Sequence, residues 1–120
     1  MKRLTDSEER IMQILWKLKK GFVNDVISEY ADPKPAYTTV SSIIRILEKK
    51  GFVAHKAYGP THQYYPLIDK DEYTQRYLST IVKDYFDNSY SKLVSFFAQN
   101  KKLRRQELEE ILKMIGDLDD

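Results

Sequence analysis

The chain has 120 residues, of which 42% are hydrophobic and 32% charged, so it fits one globular domain or a small domain with an appendage. It contains no cysteine, which excludes disulfides and cysteine-ligated metal sites. No apolar run approaches the roughly 18 residues of a membrane helix, and the N-terminus lacks the apolar region of a secretory signal, so we expect a cytoplasmic protein without direct membrane insertion.

The net charge of +2 is unevenly distributed along the chain. Residues 1–60 carry 11 Lys and Arg against 7 Asp and Glu, a net charge of +4. Residues 61–120 carry 9 against 11, a net charge of −2. The basic excess therefore indicates that the first half is the one to face a polyanion such as DNA.

Two helices are predicted in the first 30 residues. A capping box from Thr5 to Glu8 predicts the start of the first helix, and Gly21 is expected to end it. The second, near residues 23–30, is expected to stop before Asp32-Pro33-Lys34-Pro35, because a proline keeps its predecessor out of the helical region.

A third helix is predicted from Thr38 to Lys50, with Gly51 in the position just after it. Its apolar face, with residues at i, i+3, i+4 and i+7, contains Val40, Ile43, Ile44 and Leu47. At about 100° per residue, the opposite face carries hydroxyl and basic side chains. The residues predicted on that exposed face are Thr38, Ser41, Ser42, Arg45 and Lys49.

After Gly51 the spacing of the hydrophobic residues changes from a helical pattern to one typical of strands. Residues 52–57 and 61–65 predict two strands, and Tyr58-Gly59-Pro60 supplies turn residues between them, so a β-hairpin is expected. From Asp69 onward the pattern is helical again, in three amphipathic segments separated at Asn88-Ser89 and at residues 100–102.

Three helices followed by a hairpin is the element order of a winged helix-turn-helix domain. We therefore predict a mostly α fold with a small β-hairpin wing, comprising a DNA-binding domain over residues 1–68 and a helical dimerisation region over residues 69–120. In such domains the third helix enters the major groove of double-stranded DNA and its outward side chains meet base edges. Arg45 is expected to reach a guanine edge or a phosphate, and Lys49 to meet phosphate.

The two histidines, His55 and His62, are placed by the pattern opposite each other on the hairpin. Two histidines hold a metal weakly, and no carboxylate or thiol nearby in sequence completes a tetrahedral set. We therefore expect no metal and no cofactor, and we expect these histidines to lie near phosphate; a metal-responsive regulator is the alternative. Ser41-Ser42 lacks the Gly-x-Ser-x-Gly elbow of serine hydrolases, so the chain is not expected to be an enzyme.

The tail is expected to form a homodimer. Roughly 50 residues form only a marginal hydrophobic core on their own. DNA-binding proteins of this type usually dimerise, so that each copy binds one of two half-sites. The alternatives are a tail folded back on the first domain and a monomeric bundle. The predicted dimerisation residues are Tyr77, Ile81, Tyr85, Leu93, Phe97, Leu108, Ile111, Leu112 and Ile115.

The sequence resembles the penicillinase repressor (BlaI/MecI) family over nearly its whole length. The matching blocks are Leu4-Thr5-Asp6-Ser7-Glu8 and Ile14-Leu15-Trp16 for the first helix, Ala36-Tyr37-Thr38-Thr39-Val40 and Leu47-Glu48-Lys49-Lys50-Gly51-Phe52 for the recognition helix, His55-Lys56 and Tyr64-Tyr65-Pro66 for the wing, and Leu93-Val94-Ser95-Phe96-Phe97 for the tail. The resemblance implies a homodimeric repressor of an inverted-repeat operator, and it adds Thr39 and Lys56 to the DNA-contacting residues. It also implies a membrane sensor-transducer metalloprotease as partner, with release by cleavage in the tail.

This chain departs from the family pattern at two places. Well-known members have an Asn-Phe bond at the cleavage position, where this chain has Phe96-Phe97. Thr38 and Ser41 stand where well-known relatives carry basic residues, so a different operator sequence is expected. The copper-responsive branch of the family uses a cysteine cluster that this chain lacks. These departures and the modest net charge motivate an alternative function, a winged-helix protein-interaction adaptor without specific DNA binding.

Overall fold

A computed structural model describes residues 3–100 and 103–119, except for the side chains of residues 112 and 114–119. Within these ranges the chain is mostly helical and contains one β-hairpin, which confirms the predicted fold class. No helix in the described part of the chain has the length and apolar character needed to cross a bilayer. In chain order the elements are α1 (Asp6–Leu18), α2 (Val23–Ser28), α3 (Tyr37–Lys49), β1 (Val53–Tyr58), β2 (Thr61–Pro66), α4 (Lys70–Tyr85), α5 (Tyr90–Gln99) and α6 (Arg105–Asp119).

Local capping signals set the start of α1, as predicted. The Thr5 hydroxyl accepts a hydrogen bond from the Glu8 amide at 3.2 Å, and the Glu8 carboxylate accepts one from the Thr5 amide at 2.9 Å. This reciprocal pair satisfies two amide groups that a helix leaves without an internal partner at its N-terminus.

The predicted end of α1 at Gly21 was wrong. The helix ends at Leu18, and Lys19 takes a positive φ of 71° while its amide donates to the Leu15 carbonyl. Gly21 instead pairs with Tyr64 in an isolated bridge, with N–O distances of 2.8 and 2.9 Å in the two directions. Gly21 therefore aligns the chain with β2, a long-range contact that helix periodicity does not report.

Helices α1 to α3 form one core with the base of the hairpin. The apolar face predicted for α3 is buried at Val40, Ile44 and Leu47, while Ile43 is half-buried against the same core. Gly51 lies just after the end of α3, as predicted, and has a φ of 86°. Glycine adopts this backbone conformation without steric cost. The other buried apolar residues of this core include Leu4, Ile11, Met12, Ile14, Leu15, Val23, Val26, Phe52, Val53, Tyr64 and Tyr73.

The hairpin pairs β1 with β2 in antiparallel register around a turn at Gly59 and Pro60. His55 lies opposite Tyr64, and Ala57 lies opposite His62. Since side chains alternate between the two faces of a strand, His55, His62 and Tyr64 share one face of the wing, and Lys56 lies on the other.

The chain divides into two compact units, the first ending at Tyr77 and the second beginning at Leu78. The first unit extends beyond residue 68 because the start of α4 packs on its core. The buried Tyr73 ring lies 5.4 Å from the Trp16 ring and 6.2 Å from the Phe52 ring. The Trp16 indole also donates to the Ile68 carbonyl at 2.9 Å, which fixes the chain just before α4.

The second unit contains the end of α4, then α5 and α6. Asp87 and Asn88 both take positive φ values, which ends α4 where the Asn88-Ser89 pair predicted a break. Ser89 then caps α5 by accepting a hydrogen bond from the Lys92 amide at 3.2 Å. In this unit Val82 is buried, and the Phe86 ring packs against Phe96 with centroids 5.6 Å apart.

Candidate nucleic-acid interface

The outward face of α3 is the central feature of the candidate interface. The structure places five of the predicted α3 contact residues on the exposed surface: Thr38, Thr39, Ser42, Arg45 and Lys49. The only acidic residue of α3 is Glu48, which lies at the margin of this face and is half-buried. A helix face that offers hydroxyl groups and two cations can meet both base edges and phosphates.

The prediction that Ser41 belongs to this face was wrong. Ser41 is buried, with 8% of its surface exposed. At about 100° per residue it lies only about 60° from Ile44, which is fully buried, so it falls inside the edge of the core stripe. Ser41 is therefore a packing residue of α3 in this structure.

Sequence reasoning missed two exposed apolar side chains on α3. Tyr37 at the helix start is 51% exposed, and Ile46 is 47% exposed. The helical spacing that predicts the buried face also places Ile46 away from it. Ile46 enlarges the outward face, whereas Tyr37 lies on the opposite side of the helix, at its exposed start.

The wing lies against α3 through its histidine face. The His55 imidazole Nδ1 is within hydrogen-bond distance of the Glu48 carboxylate. The Tyr64 side chain is buried beside them, its ring centroid 5.6 Å from that of His55. Burial raises the pKa of Tyr64 and the Glu48 carboxylate raises it further, whereas the Arg45 guanidinium opposes this rise. Glu48 of α3 thus contacts the wing directly.

The two wing histidines stack instead of facing each other across the ladder. Their ring centroids are 4.0 Å apart with an angle of 6° between the planes. His62 is exposed and His55 is half-buried. In the described part of the chain no group of three or more His, Asp or Glu side chains is placed to hold a metal ion. On the other wing face Lys56 is exposed, and its Nζ lies 5.3 Å from the centroid of the Tyr58 ring.

A buried ion pair anchors the C-terminal end of α3 to the start of α1. Lys50 donates to both carboxylate oxygens of Glu8, at 2.9 and 2.7 Å, and the Glu8 side chain is only 5% exposed. Burial raises the pKa of Glu8, but hydrogen bonds from Lys50 and Thr5 outweigh this and hold the pKa below its usual range. The pair fixes the position of α3 relative to the rest of the first unit.

The predicted dimerisation residues lie in different environments. Tyr77 belongs to the first unit, where its ring stacks on Tyr73 with centroids 6.1 Å apart. In the second unit Tyr85 and Phe97 are exposed. The half-buried members of the set are Ile81, Leu93, Leu108 and Ile111, and the side chains of Leu112 and Ile115 lie outside the described residues.

The second unit exposes more aromatic surface than the pattern had indicated. Tyr90 and Phe96 are exposed in addition to Tyr85 and Phe97. The candidate cleavage residues Phe96 and Phe97 both lie within helix α5, with their rings 5.6 Å apart. Three of the four aromatic side chains are carried by one ten-residue helix, α5, which concentrates apolar surface there.

Comparison with known proteins gives consistent matches. A family model described as penicillinase repressor matches residues 4–117. The methicillin resistance regulatory protein MecI of Staphylococcus aureus (strain N315) is 25% identical over 114 residues, 94% of this chain and 93% of that protein. The penicillinase repressor of Bacillus licheniformis is 24% identical over 116 residues, 96% of this chain and 91% of that protein. The solution structure of the DNA-binding domain of the repressor BlaI is 30% identical with a TM-score of 0.51, and the match covers 61% of this chain and 94% of that one.

Proposed function

Because the chain belongs to the penicillinase repressor family of DNA-binding transcriptional repressors, we propose that it acts as a homodimer on an inverted-repeat operator. The observation that carries this proposal is the outward face of α3, which combines exposed hydroxyls with Arg45 and Lys49. In this proposal α3 enters the major groove, about 12 Å wide, and the wing follows the adjacent backbone.

Each exposed side chain has a role that its chemistry supports. The hydroxyls of Thr38, Thr39 and Ser42 donate to or accept from base edges near the start of α3. Arg45 offers a fork of N–H donors to a guanine edge or a phosphate, and Lys49 offers a point charge to a phosphate. On the wing, the proposed phosphate contacts are Lys56 on one face and, on the other, the exposed His62 with His55 stacked on it.

Dimerisation is assigned to the second unit. Exposed Tyr85, Tyr90, Phe96 and Phe97 form an apolar surface of the kind that marks interaction sites when it is contiguous. A two-fold symmetric protein matches the symmetry of an inverted repeat, so the same surface on two copies is the partner we propose.

Release of the operator is assigned to proteolysis in the tail. Phe96 and Phe97 are exposed on α5, and a cut between them would divide the proposed dimer surface. The proposed protease partner is a membrane sensor-transducer metalloprotease, carried over from the family resemblance. The proposed location is the cytoplasm, where operator DNA and the cytoplasmic side of such a sensor are both accessible.

The test is a titration of the purified full-length protein onto duplex DNA from upstream of its own gene, with random duplex as competitor, at several salt concentrations. A repressor that neutralises Z phosphates should show an affinity that falls with salt at a log–log slope of about −0.9Z and that survives the competitor. Binding equal to random DNA would contradict a specific repressor. Absence of binding at every salt concentration would instead support the protein-interaction adaptor.

Substitution of Arg45 by Ala is expected to weaken operator binding by about 1–3 kcal/mol if its guanidinium forms a two-point contact to guanine. The loss should be larger on the operator than on random duplex, because a base contact exists only at the specific site. Fluorescence anisotropy with both duplexes measures this difference. Arg45→Lys is the matched control, since it keeps the charge but loses the planar fork. Equal losses on both duplexes would assign Arg45 to phosphate.

A further inference from the structure

Ile46 is exposed on the outward face of α3, although it is as apolar as the residues that form the core. It is 47% exposed, whereas Val40, Ile44 and Leu47 of the same helix are at most 1% exposed. A single exposed isoleucine is ordinary on a protein surface, so exposure alone assigns it no role. Its position among the neighbouring side chains is more informative.

Ile46 extends an edge of α3 that carries threonine and serine side chains. At about 100° per residue, Ser42 lies about 40° from the direction of Ile46 one turn earlier, and Thr39 lies about 20° from it two turns earlier. Both are exposed and uncharged. The three residues therefore line one edge of the helix with methyl and hydroxyl groups. Lys50 follows one turn after Ile46 on this edge, but its ammonium group is paired with Glu8. The exposed Lys49 lies about 60° from Ile46, toward Arg45.

The other edge of the outward face is basic and lies toward the wing. Arg45 is about 100° from Ile46 around the helix and only about 60° from Glu48, whose carboxylate meets the wing residue His55. The two edges are thus chemically distinct, with the cation next to the wing and the apolar side chain away from it.

Among the groups that bases display in the major groove, the C5 methyl of thymine is the apolar one. An isoleucine facing the groove gains by covering that methyl, and no favourable contact is available to it on a phosphate. We propose that Ile46 is a specificity-determining residue that packs on a thymine methyl in each operator half-site. This assignment rests on the proposed function, because it requires that α3 enter the major groove of the operator.

The test begins with selection of binding sites from a pool of random duplexes by the full-length protein. Each thymine of the selected half-site is then replaced in turn by deoxyuridine, which removes the methyl and keeps the base-pairing groups. At one thymine the replacement should weaken binding by the wild-type protein about fourfold, the effect expected for losing one buried methyl-sized group. The same replacement should leave the affinity of the Ile46→Ala variant unchanged.

Two further variants separate a specific contact from general damage. Ile46→Val keeps a branched apolar side chain and should retain part of the thymine dependence. Leu67→Ala truncates a similarly exposed leucine outside α3 and the hairpin, and it should retain all of it. If every deoxyuridine replacement lowers the affinities of wild type and Ile46→Ala by the same factor, the role of Ile46 is refuted but the repressor proposal is not. If no sequence is enriched from the pool, the repressor proposal itself is refuted.

Discussion

The Phe97→Asp variant is expected to be monomeric and to bind the operator about 10²–10⁴-fold more weakly than the wild type. Phe97 is 42% exposed on α5, within the aromatic surface assigned to the dimer. A carboxylate at this position would have to be desolvated against apolar side chains of the second copy, which opposes association. Once the copies separate, each half-site must be bound independently, and the gain from linking two DNA-reading units is lost.

Ser95→Asp is the matched control for this experiment. Ser95 is also exposed on α5, and two positions along a helix correspond to a rotation of about 200°, so the same charge is placed on a different side. Light scattering after size exclusion gives the oligomeric state, and circular dichroism checks that α5 remains folded. A dimeric Phe97→Asp protein with wild-type operator affinity would remove this surface from the dimer.

The Lys50→Met variant is expected to lose about 3 kcal/mol of unfolding free energy at pH 7. The substitution leaves the Glu8 carboxylate, 5% exposed, without the ammonium group that donates to both of its oxygens. This loss of unfolding free energy is at the low end of the range for a broken buried ion pair, because Lys50 itself is 24% exposed. Denaturant unfolding monitored by Trp16 fluorescence measures the loss. Lys49→Met, at the exposed neighbouring position, should change stability by at most about 0.5 kcal/mol.

The same ion pair predicts how stability depends on pH. The folded-state pKa of Glu8 is lowered, so its contribution is present above the unfolded-state pKa of about 4.3 and is lost as the pH falls through the folded-state value. The stability difference between wild type and Lys50→Met should therefore shrink in acid. Glu8→Gln should flatten the acid dependence in this range, and an unchanged difference at low pH would show that the pair is not the cause.

Local signals in the sequence predicted the helix boundaries well where the determining contacts are short-range. The capping bonds of Thr5 and Glu8 and the turn at Gly51 involve residues within a few positions of each other. Asp69 is a further case, since its carboxylate accepts from the Glu72 amide at 2.7 Å, just as the acidic start of α4 indicated. Such contacts can be read from spacing alone because the helix geometry that creates them is fixed.

The other placements depend on contacts that sequence spacing does not contain. Gly21 is determined by Tyr64, more than 40 positions away, and Tyr77 by the buried ring of Tyr73 and the core beneath it. The stacking of His55 on His62 follows from the hairpin register, which the turn fixes and the alternation pattern alone does not. Ser41 was misplaced because a helix face has a width, and a small residue at its edge can be covered by larger neighbours.

Helix α4 belongs to both units, since it begins at Lys70 against the first core and ends at Tyr85 in the second. A nascent chain that has emerged only as far as residue 68 still lacks Tyr73, whose ring covers Trp16 and Phe52. The first unit can therefore complete its core on the ribosome only after the first half of α4 has left the exit tunnel. An expression fragment for this unit should for the same reason extend at least to Tyr77, because one that stops before α4 would present bare aromatic surface and aggregate.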